Sequence, residues 1–141
     1  MTSHERKFSL NVPSSTENLA LIRDFVSGIG AQAGFDDNEA ARLALAVDEA
    51  CANVIEHAYN NDVTRELTVH VWFDTAQIEV DVIDSGNRFD PSTHKALELK
   101  DLVGHKGGMG IRLMRLGTDE LEVDVDEDGH NRLRLIKRLS N

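Results

Sequence analysis

The stretch Leu67-Thr-Val-His-Val-Trp-Phe-Asp-Thr-Ala-Gln-Ile-Glu-Val-Asp-Val-Ile-Asp84 decides the fold. Leu67, Val69, Val71 and Phe73 occupy every second position, as do Ile78, Val80 and Val82, with Asp74-Thr75-Ala76-Gln77 between them. Period-two spacing on both sides of a short polar link predicts a hairpin of half-buried strands. Upstream, Phe8, Leu10 and Val12 alternate with Ser9 and Asn11, a strand ended by Pro13. Downstream, Leu121, Val123 and Val125 alternate, and Leu133 and Leu135 answer them across a turn at Asp128-Gly129. Acidic outward positions (Glu120, Glu122, Asp124) face basic ones (Arg132, Arg134), so cross-strand charge supports this second hairpin.

Helical spacing fills the gap between the first strand and the first hairpin. Ser15 or Thr16 is placed to cap a helix carrying Leu19, Ile22, Phe25, Val26 and Ile29, with Gly28, Gly30 and Gly34 read as breaking it. Asp36 or Asp37 caps a longer helix with Leu43, Val47, Ala50 and Val54 on its apolar face, ended by Tyr59-Asn60-Asn61-Asp62. A short helix through Ile111, Leu113, Met114 and Leu116 precedes the second hairpin. Hairpins imply antiparallel pairing, and amphipathic helices must cover one sheet face. The expected class is α+β: a two-layer sandwich with helices on one face of a mixed, mainly antiparallel sheet, in a single domain spanning residues 1–141.

Composition narrows the function. The chain has 141 residues, 40% of them hydrophobic but only 5% aromatic, so aliphatic packing must build the core. With 25 acidic against 15 basic side chains, the formal net charge is −10. Nucleic acid is an unsuited direct partner, because phosphate binding needs clustered Lys and Arg. The single cysteine, Cys51, allows no internal disulfide and fits a reducing cytosol. Met1 to Lys7 is polar with no long apolar run after it, so neither signal peptide nor membrane span is expected, and the chain reads as cytoplasmic.

Three groups of residues point to chemistry. Glu49 and Asn53 lie four positions apart, stacked on one helix face and turned away from the stripe of Val47 and Val54. An amide oxygen suits magnesium, which keeps several waters and shares phosphate oxygens. A carboxylate one turn away suits proton abstraction from a nucleophile attacking a γ-phosphate. Asp84 has the parity of Ile78, Val80 and Val82, which puts a carboxylate on the apolar face at a strand end, next to Gly86. Burial of that kind demands a donor, such as the exocyclic amine of a ligand. Gly104, Gly107, Gly108 and Gly110 precede the short helix, where bare amides and a helix N-terminus hold phosphate, with Lys106 adding a cation. Residues 87–106 form a long link read as a lid, ordering when nucleotide binds. Neither a Walker-type Gly-Lys-Ser/Thr nor a Rossmann glycine pattern is present. His57, near the end of the long helix, and Cys51 are read as structural. The other histidines show no metal-ligand spacing. Trp72, opposite in parity to Val71, marks the uncovered sheet face as a candidate partner surface.

Taken in order, Asp48-Glu49-Ala50-Cys51-Ala52-Asn53, Asp84-Ser85-Gly86 and Gly107-Gly108-Met109-Gly110 resemble the N, G1 and G2 boxes of the GHKL ATPase superfamily. Within it, the chain is most similar to the bacterial anti-sigma-factor serine/threonine-protein kinases, from about Phe8 to Leu139. The resemblance implies a histidine-kinase-like ATPase fold that binds ATP and Mg2+. It casts Glu49 as general base, Asn53 as magnesium ligand, and Asp84 as partner of the adenine amino group. Gly86 would allow close approach of the base, and Lys106, Gly107, Gly108, Met109 and Gly110 would hold the phosphates. Asn87-Arg88-Phe89 departs from the usual pattern, which has another small residue there. The implied partners are a STAS-type anti-anti-sigma protein, as substrate, and a sigma factor, as captive, with the kinase itself a homodimer. The alternative is a non-catalytic ATP-binding module that sequesters a partner.

Overall fold

Strands and helices follow the hydrophobic periods closely. The computed structural model describes residues 6–85 and 108–139. β1 (Arg6–Pro13) leads through a 3-10 turn at Thr16–Asn18 into α1 (Leu19–Ala33) and α2 (Asp37–Asn53). One π-helical turn, Val54–Ala58, follows α2. Next come β2 (Glu66–Phe73), β3 (Gln77–Asp84), α3 (Gly108–Leu116), β4 (Glu120–Val125) and β5 (Asn131–Arg138). The five strands form one sheet in the order β1-β2-β3-β5-β4. Each of the four pairings is antiparallel.

Register places like residues on like faces. Leu67, Val69, Val71 and Phe73 sit opposite Asp84, Val82, Val80 and Ile78, and Val80 and Val82 in turn sit opposite Leu135 and Leu133. These apolar residues are all buried against Ile22, Val26, Leu43, Val47 and Val54 from the helical layer. α2 packs against α1 on one side and α3 on the other, touching β3 and β5 beneath.

Side-chain oxygens cap the 3-10 turn and α2, whereas α1 starts after Asn18 without the side-chain cap expected from Ser15 or Thr16. Ser15 Oγ accepts from the backbone N–H of Glu17 at 3.4 Å, and Asp36 Oδ1 accepts from that of Glu39 at 2.7 Å. Gly28 and Gly30 do not break α1, contrary to expectation; only Gly34, at φ 109°, ends it. Gly30 serves contact instead, since a Cβ there would lie 3.2 Å from that of Ala40 on α2. Asn60 and Asn61 adopt φ of 50° and 62°, which turns the chain away after the π turn. α3 begins at Gly108, three residues before the expected apolar pattern.

The second hairpin turns at Asp128-Gly129, as expected, within the link 126–130, and Gly129 takes φ 82° there. Asp126 Oδ1 accepts from the backbone N–H groups of Asp128 and His130, both at 2.9 Å. Asp126, Asp128 and His130 therefore bring ligand-type atoms within 4.8 Å of one another, a grouping the spacing of histidines alone did not suggest. Among the described residues, no helix is long and apolar enough to cross a membrane.

Candidate nucleotide site

Asp84 ends β3 on the inner face and is 3% exposed. Its sheet partner across β5 is Asn131, whose Nδ2 donates to Asp84 Oδ1 at 3.0 Å. The two polar groups sit in a narrow cleft walled by Ala50, Val54, Val82, Met114 and Leu133, with Asn53 beside them. The space inside is about 10 Å³, close to that of one water-sized group. Met114, fully buried, is the side chain by which α3 closes this cleft.

Asn53 was expected to turn away from the apolar stripe, but it is 7% exposed and lines the cleft next to Ala50 and Val54. It ends α2 where the helix widens into the π turn, a local change common at functional sites. Its Nδ2 is buried without a hydrogen-bond partner. With the amide turned over, Oδ1 occupies that place, a hard neutral oxygen of the kind magnesium takes. That reversed amide is the one oxygen donor Asn53 offers to the ion that the resemblance implies.

Glu49, one turn earlier, is half-buried. Burial, then the charges of Asp48 and Glu56, raises its carboxyl pKa above the ordinary 4.5. Asp48 itself is held by Arg23 of α1 at 2.8 Å, which pins the helix pair just behind Glu49. Cys51 is completely buried, and burial pushes its thiol pKa well up, so it is an inert packing residue. His57 remains exposed, 3.8 Å from Glu56.

The end of β3 is fastened by residues that no motif had singled out. Tyr59 Oη donates to the Glu66 carbonyl at 2.6 Å and accepts from the backbone N–H of Ser85 at 2.8 Å. Arg65 stacks over the Tyr59 ring, 4.7 Å from its centre, and donates to the Ser85 carbonyl at 2.6 Å. Tyr59 was legible only as a helix ending, and Asn131 carried no signal in the sequence. Their roles depend on sheet register and on a turn that brings Tyr59 back under β3.

Gly108, Met109 and Gly110 form the first turn of α3, whose leading amides lack intrahelical acceptors. Gly86, Lys106, Gly107 and the proposed lid at 87–106 lie outside the described residues.

A roomier groove, about 490 Å³, lies on the opposite sheet face beside Trp72, His70, Glu79, Asp81 and Arg134. It contains no residue of the three motifs. Trp72 is half-buried there rather than exposed, and its Nε1 donates to Glu79 Oε2 at 3.0 Å.

Comparison with known proteins shows the family. Residues 12–137 match the histidine kinase-like ATPase domain. The chain belongs to that family. Similar curated relatives are serine-protein kinases named RsbW. The one from Bacillus licheniformis is 31% identical over 125 residues, covering 81% of this chain and 75% of the relative. Those from Bacillus subtilis and Halalkalibacterium halodurans are 31% and 32% identical over 134 and 124 residues. They cover 87% and 83% of this chain, and 81% and 75% of the relatives. The fold also matches the crystal structure of the RsbU and RsbW domains of Rv1364c from Mycobacterium tuberculosis. That match has a TM-score of 0.67 at 18% identity over 96% of this chain, which spans 33% of the larger one.

Proposed function

We propose that residues 1–141 act as one Mg-ATP-dependent protein serine/threonine kinase domain of the anti-sigma type. Its substrate is a hydroxyl on a STAS-type anti-anti-sigma protein, and it sequesters a sigma factor. It works as a cytoplasmic homodimer. The observation that carries the reading is the meeting of Asp84 and Asn53, both buried, in one cleft between α2, the end of β3 and α3. Asp84 already accepts from Asn131, whereas the Asn53 amide is buried with its Nδ2 unpartnered and calls for a polar ligand atom. Serine-protein kinase relatives over most of the chain support the enzyme class.

In this reading Asp84 accepts from the base amine, and the first-turn amides of α3 face phosphate. Asn53 offers its amide oxygen to magnesium. The ion, when bound, neutralises phosphate charge and orients the transferring group. Glu49 takes the proton from the attacking hydroxyl. Its raised pKa brings it toward the operating pH, where a general base is most effective. A half-buried carboxylate one helical turn from Asn53 favours catalysis over a purely sequestering module.

The test incubates wild type and Glu49→Gln with labelled ATP and candidate STAS proteins. Labelling of the partner on serine or threonine by wild type alone is the expected result. ATP-dependent capture of a partner without any label would establish the sequestering module instead.

A further inference from the structure

Asn131 is the polar residue of the cleft that none of the three motifs contains. It is 2% exposed. Its Nδ2 must point at Asp84, because a carboxylate oxygen only accepts, and the 3.0 Å contact fixes the amide that way round. Oδ1 is thereby committed to the other side, where it is buried with no hydrogen-bond partner. Buried acceptors are nearly always satisfied, so this one awaits a donor.

We propose that Asn131 is a specificity-determining residue that holds the Asp84 carboxylate through Nδ2 and presents Oδ1 as a second acceptor for a primary amine on the nucleotide base. The inference rests on the nucleotide-binding reading above and adds a requirement to it. An aromatic primary amine carries two coplanar N–H groups. One carboxylate oxygen takes the first; a second acceptor at its side takes the other. The cleft, about 10 Å³, admits a group the size of an amine but not a ring, so the amine enters and the ring stays outside. A base with a carbonyl at that position would set its oxygen against two acceptors and be rejected.

Titration calorimetry with the magnesium complexes of ATP, N6-methyl-ATP and purine riboside triphosphate, which lacks the amine, tests this on the full chain. Wild type should prefer ATP over N6-methyl-ATP by about tenfold or more, because a buried acceptor is left unsatisfied. Asn131→Leu keeps the volume but removes the acceptor. It should bind ATP about tenfold more weakly, lose the preference over the methylated base, and bind purine riboside triphosphate about as wild type does. Equal wild-type affinity for ATP and N6-methyl-ATP overturns the proposal whether or not the variant folds. An equal loss for ATP and for the amine-free nucleotide in Asn131→Leu also overturns it, since that is a structural effect only. If wild type binds none of the three, the nucleotide-binding reading itself falls, and this inference with it.

Discussion

Glu49 and Glu79 are both carboxylates raised by burial, Glu49 on α2 one turn before Asn53 and Glu79 on β3. For Glu49 the consequence is kinetic. Glu49→Gln should leave Mg-ATP affinity unchanged while lowering phosphoryl transfer by about 10²–10⁴-fold, as measured by labelled-partner initial rates. Only the deprotonated carboxylate accepts a proton, so activity rises as pH passes upward through its pKa. Because that pKa is raised, the acid limb of the kcat profile should lie above 4.5. For Glu79 the consequence is stability. Burial and the neighbouring Asp81 push its pKa up to about 7, although Arg134 and the Trp72 indole N–H oppose the shift. Arg134 sits 2.9 Å from Glu79 and 3.1 Å from Asp81, one cation between two carboxylates. The folded state keeps the Glu79 proton to a higher pH than the unfolded chain, whose value is near 4.5. Its stabilising contribution is therefore complete below that value and is lost as pH rises through about 7. Glu79→Gln should raise stability at pH 8 by on the order of 1–3 kcal/mol and change it little at pH 4, by urea denaturation. A variant no more stable than wild type at pH 8 would show that the ion pair outweighs the desolvation.

At the scale of elements, the cleft exists because α3 is held close to α2. Gly117, just past α3, makes that approach: a Cβ there would lie 2.3 Å from the carbonyl oxygen of Arg42 on α2. Neither atom belongs to a flexible side chain, so the backbones must separate. Gly117→Ala should destabilise the fold by about 1–3 kcal/mol, read by thermal or urea unfolding. It should also weaken nucleotide binding, because Met114 would be withdrawn from the cleft. The start of α2 is a simpler case. Asp36→Ala removes the acceptor for the Glu39 N–H and should cost about 1 kcal/mol without altering nucleotide affinity. A change in affinity there would mean that α2 transmits strain from its first turn to Asn53.

The described residues form one five-stranded sheet with helices on one face, and binding energy should couple to unfolding of the whole. Mg-ATP at about a hundred times its Kd should add about 2.7 kcal/mol to stability, seen as a higher Tm. Asn53→Ala should remove the magnesium-dependent part of that shift, and Asp84→Asn should reduce the whole. No Tm change with wild type would contradict nucleotide binding. The amino-acid sequence alone determined the strands at Phe8–Val12, Leu67–Asp84 and Leu121–Leu135, since period-two alternation is a local property. It also determined the helical stripe through Leu43, Val47, Ala50 and Val54, and the burial of Asp84, which follows from parity within one strand. The role of Gly30, the inward place of Asn53 and the half-burial of Trp72 were decided only by tertiary structure. Each depends on a neighbour distant in the chain: Ala40 for Gly30, Asp84 and Met114 for Asn53, Glu79 for Trp72. Asn131 is the clearest instance. Nothing local marks it, and it gains meaning from the β3–β5 register, which sets it against Asp84 and leaves its oxygen without a donor.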